Sequence, residues 1–328
     1  MIRARAWCRV DFAGGTLDIW PLGLLHPGAS TVNVAIDLPV DVSFATRDRD
    51  FVVVQGERRA VTPRRADLLS DPDTALVGLV LEHFALPPCE IALDSRSPRG
   101  AGLGASSALT VALIAVAEAA RGTAPSAALD RARLARDLEA RLMGLPTGMQ
   151  DHLPAQLGGA LAIEHPPGGE VVRRLAVDLG ALGDRLVLAY TGQSHFSAGN
   201  NWGVIRRRLD GDSDVSARLD RIRDAALDVA SALARADWAT AGAAMGGEWE
   251  ARRGLAPELS TVRIEALLAT ARDLGAWGGK ACGAGGGGCV AVLAPPERLE
   301  ELTSRWSELG AQVLRCRPTA EPLRIESD

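Results

Sequence analysis

Lysine is all but missing from this chain: Lys280 is the single one, and every other basic residue is arginine. We read that bias as a mark of GC-rich coding, although the one lysine stands directly before a glycine-rich run. Cysteine is sparse and patternless. Cys8, Cys89, Cys282, Cys289 and Cys316 are odd in number and form no CxxC pair, which excludes a disulfide framework or a zinc knuckle as the organising device. No apolar run has the length of a membrane span, since even the Ala-rich stretch after Gly104 is interrupted by Glu118 and Arg121. The opening "MIRARAWCRV" lacks the apolar segment of a secretory signal, so a cytoplasmic protein is expected. Neither sign of charge dominates. A net charge of −5 with both signs interspersed argues against a nucleic-acid or membrane partner. The arginine-rich pieces "RARLAR" and "RRR" read as solvated helix faces.

What is present is apolar bulk and glycine. With 47% hydrophobic residues, 328 residues suffice for a large core and for two domains. Short Val- and Ile-rich runs bounded by Gly, Pro and Asp predict strands at "RARAWCRVDFAG", "TVNVAIDLPVDVSFATRD", "FVVVQG" and "CEIALDS". Helical spacing predicts helices over "TALVGLVLEHFAL", Leu103–Arg121 and "SAALDRARLARDLEARLMG", the last stopped by Gly144 and Pro146. Further on, "GALAIE" and "RLVLAYTG" read as strands, followed by helices at Val215–Ala236, Trp238–Arg252 and Val262–Leu274. The end reads as strand "CVAVLAPP", helix "PERLEELTSRWSELG" and strand "AQVLRCRP". This order predicts an α+β fold with a domain boundary near residue 180, giving domains 1–180 and 181–328.

Three glycine-bearing stretches carry the chemistry: "RVDFAGGTLD", "PRGAGLGASSA" and "GGKACGAGGGGCVAVL". The last satisfies G-x-G-x-x-G, but a strand-like run follows it where a dinucleotide site needs a helix. No G-x-x-x-x-G-K-[ST] occurs, because Ala281 follows Lys280. The middle stretch runs straight into a long helix, and that junction predicts an anion cradle of backbone N–H groups at a positive dipole end. Ser106 and Ser107 are read either as caps of that helix or as hydroxyl ligands to a hard cation bridging phosphates. Glu139 is either a helix-face partner of its arginine neighbours or a metal carboxylate. Asp151 is either an N-cap or a carboxylate of the same site.

These motifs, in this order, resemble those of the GHMP small-molecule kinases, and most nearly the branch of heptose 7-phosphate kinases and fucokinase-like sugar kinases. "RVDFAGGTLD" is similar to R-I-S-F-A-G-G-G-T-D, "GLGASSALTVAL" to G-L-G-S-S-S-A-F-T-V-A-L, "GMQDHLPAQLGG" to G-K-Q-D-Q-Y-A-A-A-F-G-G, and "GGKACGAGGGG" to G-x-K-L-L-G-A-G-G-G-G. The resemblance implies an N-terminal ATP-binding domain like ribosomal protein S5 domain 2 and a C-terminal ferredoxin-like α/β sandwich. It also implies roles. Pro98, Gly100, Ala101, Gly102, Leu103, Gly104, Ala105, Ser106 and Ser107 would bind ATP. Ser106 (or Ser107) and Glu139, twelve residues before Asp151, would hold Mg2+. Asp151 would accept or orient the substrate hydroxyl proton, with Arg9 near the transferred phosphoryl group. Asp18, Gly15, Thr16, Gly148, Gln150, His195, Gly285 and Gly286 would bind the acceptor.

The implied activity is an ATP- and magnesium-dependent sugar kinase acting on a hydroxyl, the anomeric one, of a hexose, 6-deoxyhexose or heptose, free or phosphorylated. The alternatives are a kinase of a mevalonate- or homoserine-like alcohol and a non-catalytic sugar- and nucleotide-binding regulator. The expected partner is the small-molecule acceptor, and the protein is expected to be a monomer or homodimer. The chain departs from the branch pattern at several points: Thr16 stands for Gly, Leu17 for Thr, Ala105 for Ser, and His152 and Pro154 for a polar–aromatic pair. His195 occupies an arginine position, and a neutral histidine reads a phosphate weakly. That departure favours a non-phosphorylated acceptor.

Overall fold

The structure of the chain, a computed structural model, describes residues 1–194 and 198–327, with 198–200 as backbone. The strands are β1 (Ile2–Ala13), β2 (Ser30–Thr46), β3 (Phe51–Gln55), β4 (Arg58–Thr62), β5 (Cys89–Ser95), β6 (Ala160–Glu164), β7 (Val171–Arg174), β8 (Leu186–Tyr190), β9 (Gly278–Ala281), β10 (Cys289–Leu293), β11 (Gln312–Val313) and β12 (Arg324–Ser327). They form two sheets. The first runs β12-β1-β2-β5-β3-β4, with β6 and then β7 branching from β2. Such branching needs a long strand. The 17 residues of β2 pair through Ser30–Val34 with β6 and through Val40–Thr46 with β5. The second sheet, β11-β8-β10-β9, is antiparallel throughout and has the 4-1-3-2 order of a ferredoxin-like layer.

The helix Ala105–Arg121 is buried along most of its length against β1 and β2. Its Val111 and Ile114 join Val10, Phe12 and Val34 in one apolar core, which also takes in Ala226 and Val229 of the helix Ser213–Ala234. That shared core ties the helices of the second half to the first sheet. A smaller core of Val187, Val290, Val292, Ile264 and Trp306 lies on the second sheet.

Several boundaries differ from the sequence expectation, each for a local reason. The helix predicted from Leu103 begins at Ala105, because Gly102 and Gly104 adopt φ of 72° and 70°, outside the helical region. The strand expected at "AQVLRCRP" shrinks to Gln312–Val313; beyond it the chain crosses back to the first sheet, bridging Ile36 at Pro318. There it ends as β12, a fully exposed edge strand paired with β1 that its polar "RIES" does not announce. Strand β9, "GGKA", was also unmarked, since glycines at 278 and 279 argue against a strand. Their reason is close packing. A Cβ at Gly278 would lie 2.0 Å from the Gly242 carbonyl oxygen, so the helix Trp238–Arg252 rests directly on the strand backbone. All five cysteines are free, and no helix among the described residues is long and apolar enough to cross a membrane.

Candidate active site

The largest cavity at the site, about 630 Å3, is walled by Pro98, Gly100–Ser106 and the end of β5. The loop is shaped for backbone approach. Gly100, Gly102 and Gly104 all have positive φ, and Gly104 precedes the helix Ala105–Arg121 without any side-chain cap. The reading of Ser106 and Ser107 as caps is therefore overturned, and among the described residues no acceptor covers the dipole end of the helix, which faces the cleft. The loop is braced from behind by the third glycine run. Cys289 N–H donates to the Ala101 carbonyl at 2.8 Å, and a Cβ on Gly102 would come within 2.5 Å of the Cys282 carbonyl oxygen.

A smaller cavity of about 140 Å3, lined by Thr16, Asp18, Ser107, Gly148, Gln150 and Arg252 among others, meets the first at Arg9, Asp151, Gly283 and Ala284. At the junction, Arg9 donates through Nε (2.8 Å) and a terminal nitrogen (2.5 Å) to Asp151 Oδ1, and through its other nitrogen to the Gly102 carbonyl (2.6 Å). Asp151 precedes the helix His152–Leu157 without capping it, which removes the N-cap reading. Burial raises its carboxyl pKa, against the lowering pull of the Arg9 guanidinium. Asp18 accepts from the Gln150 N–H at 3.1 Å, over a Gly148 whose Cβ would collide with the carboxylate. Asp18 Oδ1 and Gln150 Oε1 are buried and accept no hydrogen bond among the described residues.

Glu139 faces inward. It accepts from Thr110 at 2.7 Å and Ser107 at 3.1 Å, with His152 Nε2 at 3.2 Å. Burial opposes its ionisation, but His152 and the two hydroxyls hold its pKa below the ordinary value. The helix-face salt-bridge reading of Glu139 thus gives way. Ser106 is exposed in the large cleft and is not bonded to Glu139, so the hydroxyl joined to this carboxylate is that of Ser107. One carboxylate beside a hydroxyl is a donor set suited to Mg2+ that draws its remaining ligands from phosphates and water. Among the described residues, no cluster of three His, Cys, Asp or Glu side chains forms a self-sufficient metal cage.

Comparison with known proteins agrees with this geometry. The family model described as GHMP kinases N terminal domain matches residues 74–159, and that described as GHMP kinases C terminal matches residues 229–312. The galactokinase of Mycobacterium tuberculosis is 31% identical over 248 residues, covering 66% of this chain and 67% of its own. The chain belongs to the GHMP kinase family. It is a small-molecule kinase of the two-domain GHMP fold. The D-glycero-alpha-D-manno-heptose 7-phosphate kinase of Campylobacter jejuni is 28% identical over 313 residues, 90% of each chain. The crystal structure of a D-glycero-D-manno-heptose 1-phosphate kinase from Bacteriodes thetaiotaomicron superposes with a TM-score of 0.79 at 19% identity, covering 100% of this chain and 99% of that one. Mevalonate kinases are among the further relatives.

In this GHMP kinase the predicted residues fall into three groups. Arg9, Asp18, Thr16, Gly148, Gln150 and Asp151 line the small cavity, with Gly15 packed against Gln150 and Arg252. Gly285 and Gly286 do not line it: they pack on the backbone of Leu259, and Gly283 and Ala284 take their place at the wall. His195 lies outside the described residues.

The sequence reading missed a buried chain of charges behind the kinase site. Lys280 Nζ donates to Asp11 Oδ2 at 2.6 Å and lies 3.2 Å from Glu248; Asp11 Oδ1 takes the Gly283 N–H at 2.8 Å and sits 3.5 Å from Arg9. Glu248 in turn pairs with Arg252, which donates to Thr16 Oγ1 (2.9 Å) and the Gly15 carbonyl (2.7 Å). The Arg252 contact holds Thr16 at φ 73°, a conformation that costs a β-branched residue about 1–2 kcal/mol. One signal was available: a single lysine beside the third glycine run. Its carboxylate partners, far off in sequence, had none.

Proposed function

We propose that this GHMP kinase transfers the γ-phosphoryl group of ATP to a hydroxyl, the anomeric one, of an uncharged sugar seated between Asp18 and Asp151. In this reading, residues 1–180 form the ATP-binding domain and 181–328 the second domain. The single observation that carries the sugar is the pair of buried acceptors, Asp18 Oδ1 and Gln150 Oε1, left without donors beside the catalytic carboxylate. Buried acceptors without partners are costly. Two hydroxyl groups of a sugar supply the missing donors. A mevalonate-like acceptor carries a carboxylate, whereas the two cations lining this cavity, Arg9 and Arg252, are already paired with Asp151 and Glu248.

The triphosphate would lie along Gly100–Ser106, its charge met by backbone N–H groups and the helix dipole. Ser107 and Glu139 are the residues that would hold Mg2+, which when bound neutralises charge on the phosphates. Asp151 spends only Oδ1 on Arg9, so Oδ2 is free to take the proton of the acceptor hydroxyl. The new bond joins that oxygen to the γ-phosphorus as the bond to ADP breaks. Arg9, anchored on the Gly102 carbonyl and Asp151, sits where the transferred group passes and offers it positive charge. The raised pKa of Asp151 suits a proton acceptor better than an ordinary carboxylate does.

The test is ADP release with ATP and Mg2+ against fucose, galactose, mannose, a heptose and heptose 7-phosphate, with mevalonate and homoserine alongside. An uncharged sugar should turn over, and Asp151→Asn should lower kcat by about 10²–10⁴-fold. Preference for heptose 7-phosphate or mevalonate would overturn the uncharged-sugar reading.

A further inference from the structure

Past Asp18 the small cavity adjoins a third one of about 470 Å3 that the reading above leaves without a role. Asp18 and Thr147 line both, so the two meet at the residue assigned to acceptor hydroxyls. Its walls have a distinct chemistry. Trp20 stands in the lining with 70% of its surface exposed, an unusual setting for the costliest side chain to leave in water. A flat indole at a cavity wall matches the apolar C–H face of a pyranose ring, whose polarised hydrogens meet the negative ring face. His165 lines the same space, and its Nε2 is buried without a partner among the described residues. Burial lowers its pKa despite the nearby Asp18 and Glu170, so the imidazole offers a neutral donor or acceptor, as a hydroxyl requires.

The charge balance argues the same way. The one guanidinium in the lining, that of Arg136, is held by Asp137 at 2.9 Å and Glu170 at 3.5 Å, and Asp18 adds a third carboxylate. Arg133, behind Gly169, also pairs with Glu170 at 3.1 Å, so a phosphate or carboxylate on the ligand would meet three carboxylates and only cations that are already paired. The remaining match is a neutral, hydroxyl-rich ring with one apolar face.

We propose that this cavity is a second sugar subsite, so that the acceptor is a reducing disaccharide whose far ring, uncharged, lies on Trp20. This rests on the sugar-kinase reading above and extends it. The reducing ring presents its hydroxyl to Asp151, Asp18 lies between the two rings, and the far ring fills the space between Trp20 and His165.

The experiment compares kcat/KM for maltose, cellobiose, lactose, melibiose and gentiobiose with that for glucose and galactose, in wild type, Trp20→Ala and Trp20→Phe. At least one disaccharide should exceed its reducing-end monosaccharide by tenfold or more. Trp20→Ala should erase that excess through KM, leaving the monosaccharide within twofold, and Trp20→Phe should retain most of it. Since Trp20 is largely exposed, neither variant disturbs the core. Turnover of monosaccharides with no disaccharide preferred, or an equal effect of Trp20→Ala on both, overturns the second subsite and leaves the kinase reading intact. No turnover of any sugar by an ATP-binding wild type overturns both.

Discussion

Lys280 has no exposed surface, yet its ammonium bridges Asp11 and Glu248, and each of those carboxylates holds an arginine of the site. Such a group is difficult to replace. Removing one partner of a buried ion pair costs about 3–5 kcal/mol, because the charge left behind stays desolvated. Lys280→Met strands two carboxylates, so urea denaturation should register a loss at the upper end of that range. A loss below about 1 kcal/mol would mean that the two carboxylates reorganise or take up protons without it. The arginine bias of the composition and the singular buried lysine are separate facts. Composition exposed the second only as an oddity of position.

The Gly100–Ser107 loop and the third glycine run behave as one element, although about 180 residues of chain lie between them. Gly102 and Gly283 face each other so closely that a Cβ on either would lie within 3.1 Å of the other segment's backbone. Gly102 also has φ 72°, so Gly102→Ala combines backbone strain of about 1–2 kcal/mol with a 2.5 Å collision against the Cys282 carbonyl. The expected outcome is a rise of tenfold or more in KM for ATP, with acceptor KM little changed. Equal effects on both would mean that the loop serves general stability rather than the nucleotide. The glycine motifs were legible at this scale because close backbone approach demands glycine whatever the rest of the sequence. Strand β9 was not, because its glycines answer to a helix packed across them, which no local pattern records.

For the molecule as a whole, two buried aspartates of the site titrate in opposite directions, beside Glu139, whose pKa is also lowered. Burial works against ionised Asp11, but Lys280 and Arg9 outweigh it and pull its pKa below the ordinary 3.8. Its contribution is therefore present above pH 3.8 and lost as the pH falls through its lower folded value. Asp151 is shifted upward, chiefly by burial, so its contribution is present below pH 3.8 and lost as the pH rises through its folded value. Calorimetry without nucleotide should find stability rising slightly on acidification toward pH 4 and falling below it. Asp151→Asn should lose the rise, and Asp11→Asn should flatten the fall. Unchanged profiles in both variants would show that other carboxylates, Glu139 among them, govern acid unfolding. By itself the sequence determined the fold class, most elements and the glycine-rich junction before the long helix, because these rest on local periodicity and on glycine's backbone freedom; Arg9, Glu139 and Asp151 were picked out by the resemblance to the family rather than by any local pattern. Tertiary structure alone decided that Ser107 rather than Ser106 meets Glu139, that Gly283 and Ala284 rather than Gly285 and Gly286 wall the smaller cavity, and that Lys280 joins Asp11 to Glu248. Those outcomes depend on which side chains the two sheets and their shared core bring within a few ångströms, and sequence distance carries no trace of that.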